Sequence, residues 1–151
     1  MKDKVRQRPA LLDVNVLIAL IDPAHQFSDA AHAWFRHNRE FGWATCPLSQ
    51  NGCLRIMSSP GYPFPGLTVN RVRSILVELT ALPGHVFWPD SISILEPERF
   101  RLADAGPKQL TDIYLLGLAC ANNGRLVTFD RSLSGRNVAG FAAQTVECIR
   151  E

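Results

Sequence analysis

Apolar residues in this sequence form short continuous runs that alternate with longer stretches of helical periodicity. Residues 10–12 are all apolar and the run ends at Asp13, a pattern typical of a short buried strand. Similar runs predict further strands at residues 43–46, 85–88 and 126–129, and a shorter run at 144–146 indicates a fifth. The sequence therefore predicts a sheet of four to five short strands.

Helical periodicity separates the first three of these strands. Ser28 can cap a helix whose apolar side chains recur at helical spacing over residues 27–35. Pro47 suits the first turn of a second helix over residues 49–58. That helix must end before residues 59–66, where proline and glycine are so dense that only a loop is expected.

Two more helices are predicted in the second half of the chain. Apolar residues at positions 69, 72, 76 and 79 indicate the first of them. Thr111 is a good N-cap for the second, over residues 112–122, which Asn123 and Gly124 terminate. Because this last helix is apolar on nearly all sides, it is expected to be central.

Strands that alternate with helices favour right-handed crossovers, so the predicted fold class is α/β. The expected architecture has three layers, α/β/α, with helices on both faces of a mostly parallel sheet. The 151 residues are expected to form a single domain over residues 1–151, because this length suits one core. In such a fold the ligand site lies beyond the carboxyl ends of the strands.

Charge and cysteine content add little to this picture. Sixteen basic and 14 acidic side chains give a net charge of +2, which indicates no particular partner. Thirteen of the basic residues are arginines, which suit phosphate contacts but also result from a GC-rich genome. The four cysteines form no CxxC pair, so buried thiols in a reducing cytosol are expected rather than disulfides or a zinc site.

The chain is expected to be cytoplasmic and not to interact with a membrane. Its apolar runs are far shorter than the roughly 20 residues of a membrane-spanning helix. Four basic residues before position 9 are interpreted as a short solvated tail. Asp13 and Asn15 interrupt the apolar stretch that a signal peptide would need after such a start.

Three acidic residues occupy positions that the predicted sheet brings to one edge. Asp13 directly follows the first strand, Asp130 directly follows the fourth, and Asp112 opens the helix that leads into the fourth. Carboxylates gathered at one site raise one another's pKa, and a divalent cation removes that repulsion. Since the candidate ligand atoms are all oxygens, Mg²⁺ or Mn²⁺ is expected rather than zinc.

Each acid also has an ordinary structural interpretation. Asp13 could cap a following helix, Asp112 could be a first-turn acid, and Asp130 could form an Asx-turn with Arg131 and Ser132. Taken singly, each acid favours the structural interpretation, whereas the three together favour a metal site. The spacing alone leaves both interpretations open.

Four segments in order carry a family resemblance: residues 11–18, 46–55, 110–116 and 127–130. Together they resemble the four motifs of PIN-domain ribonucleases, and they are most similar to VapC-type toxins of bacterial toxin–antitoxin pairs. The segments and their spacing cover nearly the whole chain. The resemblance implies a PIN-like fold and an endoribonuclease that hydrolyses RNA phosphodiester bonds, often in transfer RNA.

The resemblance also implies a cofactor, partners and site residues. Asp13, Asp112 and Asp130 would be the catalytic metal ligands for Mg²⁺ or Mn²⁺, with Asn15 and Thr111 supporting them. Hydrolysis would use water that the bound ion activates. The toxin would be a homodimer, and a cognate VapB-type antitoxin would silence it, typically by covering the acidic site with its C-terminal tail.

The second motif departs from the family pattern at Gln50, where the family usually carries glutamate. Gln50 is kept as a candidate catalytic residue because a carboxamide retains a ligand oxygen, although it contributes no charge. Weaker metal binding is therefore expected. Gln50 is either the natural residue or an inactivating replacement, and the alternative function is a catalytically weakened PIN-like module that binds RNA or protein.

Basic residues near the motifs are candidates for RNA contacts. Arg55, Lys108, Arg131 and Arg136 could hold phosphates, and solvated surface charge is an equally open interpretation. Two other enzyme classes are disfavoured. A haloacid-dehalogenase-type phosphatase would need a second aspartate at Asn15, and a receiver domain would need a lysine after a late strand.

Overall fold

Strands and helices alternate along residues 8–64 and 66–150, which the computed structural model describes. The strands are β1 (Ala10–Leu12), β2 (Trp43–Thr45), β3 (His85–Phe87), β4 (Arg125–Thr128) and β5 (Val146–Cys148). The α-helices are α1 (Val14–Ile21), α2 (Ser28–Asn38), α3 (Pro47–Met57), α4 (Val69–Thr80) and α5 (Leu110–Ala121). None of these helices has the length and apolarity that crossing a membrane requires. The predicted basic tail falls largely on residues 1–7, outside the described residues.

All five strands run parallel in one sheet, in the order β3-β2-β1-β4-β5. Leu11 of β1 lies opposite Ala44 of β2, and Leu12 lies opposite Val127 of β4. The predicted parallel sheet of four to five strands is confirmed. Because parallel strands end at the same edge, the residues that follow β1 and β4 are neighbours there.

Helices cover both faces of this sheet. Ala10 and Leu12 belong to a core cluster that includes apolar residues of α1, α2, α3 and α4. Leu11 belongs to a second cluster, formed largely with α5. This alternation follows from the period of two in a strand, which sends successive side chains to opposite faces. The predicted three-layer α/β/α fold is confirmed.

The start of α2 differs from the prediction. The helix begins at Ser28 itself, and Phe27 occupies the N-cap position without a side-chain cap. Ser28 is therefore not the cap, and its side chain is buried. The side chain that serves this turn is His25, whose Nδ1 atom accepts a hydrogen bond from the Phe27 amide at 3.1 Å.

The start of α5 also differs, which makes the prediction of Thr111 as its N-cap wrong. The helix begins at Leu110, so Thr111 lies within its first turn. A 3-10 turn at Pro107–Gln109 leads into the helix, because proline fixes a backbone angle suited to a first helical turn. The last strand shifts in a similar way: a 3-10 turn at Ala143–Thr145 delays it to residues 146–148.

Candidate active site

Asp13 is fixed at the junction of β1 and α1. Both elements are apolar and buried, so the acid between them is only 5% exposed. Its Oδ1 accepts a hydrogen bond from the Val14 amide at 2.7 Å, and its Oδ2 accepts one from the Thr128 hydroxyl at 2.8 Å. Burial raises the pKa of Asp13 more than these two hydrogen bonds lower it, and the nearby charge of Asp130 raises it further.

Asp130 lies two residues beyond β4 and is tied to the same threonine. Its backbone amide donates to the Thr128 hydroxyl at 3.0 Å. Its Oδ1 accepts hydrogen bonds from the Ser132 amide at 2.8 Å and from the Ser132 hydroxyl at 2.6 Å. The structural interpretations are thus correct as far as they go: Asp13 caps α1 and Asp130 forms an Asx-turn. These structural roles are compatible with a shared site, because Asp13 and Asp130 both contact the Thr128 hydroxyl.

Asp112 lies in the first turn of α5, half-buried on the side of the other two acids. Burial is the largest cause that raises its pKa, to about 6, and the charges of Asp13 and then Asp130 add to the shift. Three carboxylates separated by about 120 residues of chain therefore share one electrostatic environment at the carboxyl edge of the sheet.

A cavity of about 190 Å³ opens beside Asp112 and Asp130. Its wall combines acidic, amide, hydroxyl and basic groups. The lining residues are Gln109, Asp112, Ile113, Asp130, Ser132, Leu133, Ser134, Arg136 and Asn137. We refer to this space as the acid cavity. It has room for a small charged group, and it is open to the exposed side chains of Asp130 and Arg136.

The donor chemistry of this site fits a hard divalent cation. Its acidic side chains supply carboxylate oxygens, and cations such as Mg²⁺ prefer oxygen ligands. In residues 8–64 and 66–150, no group of three or more His, Cys, Asp or Glu side chains is arranged so that it could already hold a metal ion. Among the described residues no hydrogen bond holds the Asp112 carboxylate, and Asp130 is held at Oδ1 alone, whereas Asp13 is held at both oxygens.

Gln50 takes a different position from the three acids. Its Nε2 donates to the Thr45 hydroxyl at 2.9 Å, and the same hydroxyl lies 2.8 Å from Nε2 of His85. Gln50 lines a groove of about 370 Å³ between α3 and α4, and it is not among the residues that line the acid cavity. Thr45 and His85 set the orientation of the Gln50 amide, and no sequence pattern connected either residue with Gln50.

The remaining candidates lie on the surface around the site. Asn15, in the first turn of α1, and Thr111, in the first turn of α5, are both exposed. Of the four basic candidates, Arg136 lines the acid cavity, and exposed Arg131 directly follows Asp130.

Lys108 is exposed on the 3-10 turn before α5, and Arg55 is exposed on α3. Neither is among the residues that line the acid cavity.

Several polar residues at the acid cavity were missed by sequence reasoning. Asn137 is buried, and its Nδ2 donates to the Arg101 carbonyl at 2.8 Å and to Asp104 Oδ1 at 3.0 Å. Gln109, Ser132 and the loop that carries Asn137 complete the wall. Ser132 was predicted only as a partner of Asp130 in an Asx-turn, and the others carried no signal because they lie in irregular segments without periodicity.

Curated relatives match nearly the whole chain, although no protein-family model does. The chain is 45% identical over 138 residues to Ribonuclease VapC44 of Mycobacterium tuberculosis, which covers 89% of this chain and 95% of that protein. It is 40% identical over 133 residues to Ribonuclease VapC39 of the same organism, with 87% and 96% covered. A third relative there, Ribonuclease VapC38, is 39% identical over 121 residues, with 80% and 84% covered. The resemblance in the four motifs is confirmed, and the chain belongs to the VapC ribonuclease family.

Proposed function

We propose that this protein is an endoribonuclease that hydrolyses RNA phosphodiester bonds and acts as the toxin of a toxin–antitoxin pair. The observation that carries the proposal is the shared electrostatic environment of Asp13, Asp112 and Asp130 at the carboxyl edge of the sheet. Burial and the charge of Asp130 raise the pKa of both Asp13 and Asp112. Gathering negative charge in this way is costly for a folded protein, so a ligand that needs these acids is the simplest account. The relatives are named ribonucleases, which supports RNA as the substrate.

The cofactor in this proposal is Mg²⁺ or Mn²⁺, held by Asp13, Asp112 and Asp130. Such an ion, when bound, supplies Lewis acidity at a phosphate and makes water easier to ionise. The three carboxylates would provide the charge, and Gln50 is proposed to support the site from α3, outside the lining of the acid cavity. Its Nε2 is engaged by Thr45, so Oε1 is the amide atom left for a ligand.

The three acids have different roles in this proposal. Asp13 is the fixed member, because Thr128 and the Val14 amide hold both of its oxygens. Asp112, whose pKa is raised to about 6 in the metal-free protein, would be ionised at neutral pH and free to bind a cation. Asp130 is exposed at the cavity, where it would help to hold the cation. Asn15 and Thr111 support the site from the first turns of α1 and α5.

A cleavage assay with the purified chain tests the proposal. We expect RNA, with transfer RNA as the first substrate, to be cut when Mg²⁺ or Mn²⁺ is added and to stay intact in EDTA. Asp112→Asn is the matched variant, since it removes one charge and keeps the shape of the side chain. Intact RNA at every metal concentration, with RNA still bound, would instead support the alternative of a catalytically weakened RNA-binding module.

We also propose the partners and location that accompany such a toxin. The chain would form a homodimer in the cytoplasm, where thiols such as the four free cysteines stay reduced. A VapB-type antitoxin would present a cation to the acid cavity, because one guanidinium can bridge two carboxylates. Light scattering of the free protein measures the dimer. A monomer in that measurement, or no binding by the protein encoded beside its gene, would contradict these partners.

A further inference from the structure

An arginine, Arg136, also lines the acid cavity, and the proposed metal site gives it no role. Arg136 lines the cavity together with Asp112 and Asp130, and its side chain is 63% exposed. Its Nε forms an ion pair with Oδ2 of Asp104 at 3.1 Å. Asp104 thus lies at the Nε edge of the guanidinium, and among the described residues no hydrogen bond or ion pair engages the two terminal nitrogens. Two parallel N–H groups are the geometry with which arginine binds a phosphate.

Asp104 is itself held from the protein interior. Its second oxygen, Oδ1, accepts a hydrogen bond from Nδ2 of Asn137 at 3.0 Å. Asn137 is only 5% exposed, and the same nitrogen donates to the Arg101 carbonyl at 2.8 Å. Asp104 thus has a buried polar neighbour on one side and Arg136 on the other.

The segment that carries Asp104 is anchored to α5, the helix of Asp112. Phe100 pairs with Val138 in an antiparallel bridge and is buried in the core cluster of α5. It packs so closely on Gly117 of α5 that an added Cβ there would lie 2.4 Å from the ring. Packing therefore anchors the start of this segment to α5, four residues before Asp104.

We propose that Asp104 is a positioning residue, which holds the Arg136 guanidinium at the acid cavity so that it binds a backbone phosphate of the RNA. This inference rests on the proposed function and assigns a phosphate contact to the same site. An acid beside a phosphate-binding arginine weakens attraction by simple Coulomb repulsion. Its presence improves binding only if the orientation it imposes on Arg136 outweighs that repulsion.

Charge repulsion predicts that removing Asp104 tightens RNA binding, whereas the positioning role predicts that it weakens RNA binding. Binding of a fluorescein-labelled single-stranded oligoribonucleotide is measured by anisotropy in EDTA, over a series of salt concentrations. We expect Arg136→Gln to weaken binding about three- to tenfold, the effect of one ordinary hydrogen bond, because the side chain is well exposed to water. The salt slope should fall by about 1, as expected when one phosphate contact is lost. Asp104→Ala should also weaken binding, although it removes a negative charge.

Two variants separate positioning from charge and from folding. Glu98→Ala is the matched control. Glu98 is an exposed acid of the same region, and its side chain forms no hydrogen bond or ion pair with any described residue. It should leave binding unchanged or tighten it slightly. In the double variant of Asp104→Ala with Arg136→Gln, binding should be no weaker than with Arg136→Gln alone, since Asp104 acts through Arg136.

Tighter or unchanged binding by Asp104→Ala would overturn the proposal, and so would a further loss of binding in the double variant. The melting temperature of each variant is recorded alongside. Metal-free binding is independent of cleavage: a protein that binds RNA as described but never cuts it contradicts the proposed function alone. A protein that cuts RNA but shows no effect of Arg136→Gln contradicts only this inference.

Discussion

Thr128 donates a hydrogen bond from its hydroxyl to Oδ2 of Asp13 at 2.8 Å, across the junction of β4 and β1. Both residues are buried, and the same hydroxyl accepts the Asp130 amide at 3.0 Å. One oxygen atom therefore fixes the spacing of two of the three acids. It also offsets part of the cost of burying the Asp13 charge, since hydrogen bonding to a carboxylate lowers its pKa.

Thr128→Val should destabilise the fold by about 1–3 kcal/mol, the cost of leaving a buried acceptor without its donor. It should also raise the metal concentration needed for cleavage, because Asp13 loses its orientation. Thr128→Ser, which keeps the hydroxyl, is the control and should retain the metal response. Urea denaturation and a Mg²⁺ titration of cleavage measure the two effects. Equal metal responses for the valine and serine variants would contradict this role.

Asp112 should make the metal-free protein less stable as pH rises. Its pKa in the folded protein is about 6 against an ordinary value of 3.8, so the folded state binds the proton more tightly than the unfolded state. This contribution to stability is complete below pH 3.8 and is lost as pH rises to about 6. Asp112→Asn should therefore gain stability over the parent through that window.

The expected gain for Asp112→Asn at pH 7 in EDTA is about 1 kcal/mol. It is smaller than the pKa shift alone implies, because the side chain is half-exposed and water screens the charges. Thermal melting between pH 4 and 8 measures it, with Glu98→Gln as the control for an exposed acid. A constant difference between parent and Asp112→Asn across this range would count against the shared environment of the acids.

Gln50→Glu should lower the Mg²⁺ concentration at which cleavage reaches half its maximum. The change adds one charge at nearly unchanged volume, and each 1.4 kcal/mol of added attraction corresponds to about tenfold in affinity. Gln144→Glu adds the same charge at an exposed position outside the lining of the acid cavity and should not shift the titration. Superimposable curves for the parent and Gln50→Glu would place residue 50 outside the metal site.

Glu147→Gln should destabilise the protein by about 1–3 kcal/mol. Glu147 pairs with Arg125, whose side chain is only 2% exposed, and it accepts a hydrogen bond from Trp34 Nε1 at 2.8 Å. Breaking a buried ion pair costs about 3–5 kcal/mol, and the partial exposure of Glu147 reduces that figure.

Glu96→Gln, which breaks an exposed pair with Arg99, is the control for the Glu147 variant and should cost no more than about 0.5 kcal/mol. Equal melting temperatures for the two variants would contradict the prediction.

Sequence patterns predicted the layers of the fold because the pattern of burial is periodic. Short apolar runs predicted β1 at residues 10–12 and β4 at residues 126–129, one residue later than its observed range of 125–128. Their parallel pairing followed from the helices between them. Helix starts were harder to predict. A 3-10 turn before α5 and the side chain of His25 before α2 replaced the expected caps, and neither leaves a periodic signal.

The candidate site was predictable where residues follow strands and unpredictable where they lie in irregular segments. Asp13 and Asp130 follow β1 and β4, so their convergence could be deduced from parallel strands. Asp104 and Asn137 meet through loops whose path depends on the packing of Phe100 against Gly117. The direction of the Gln50 amide depends on Thr45, a contact across β2 and α3 that spacing alone does not reveal.

Leu12 of β1 pairs with Val127 of β4, so the sheet cannot form fully until the ribosome has made β4. Along the chain Asp13 precedes Thr128 and Asp130 by more than 110 residues, so a ribosome makes it before either of them. A chain still under synthesis that ends before β4 lacks the hydroxyl that orients Asp13 and two of the five described strands. The three acids are then not yet together, so the proposed metal site would be incomplete in a nascent fragment of this protein.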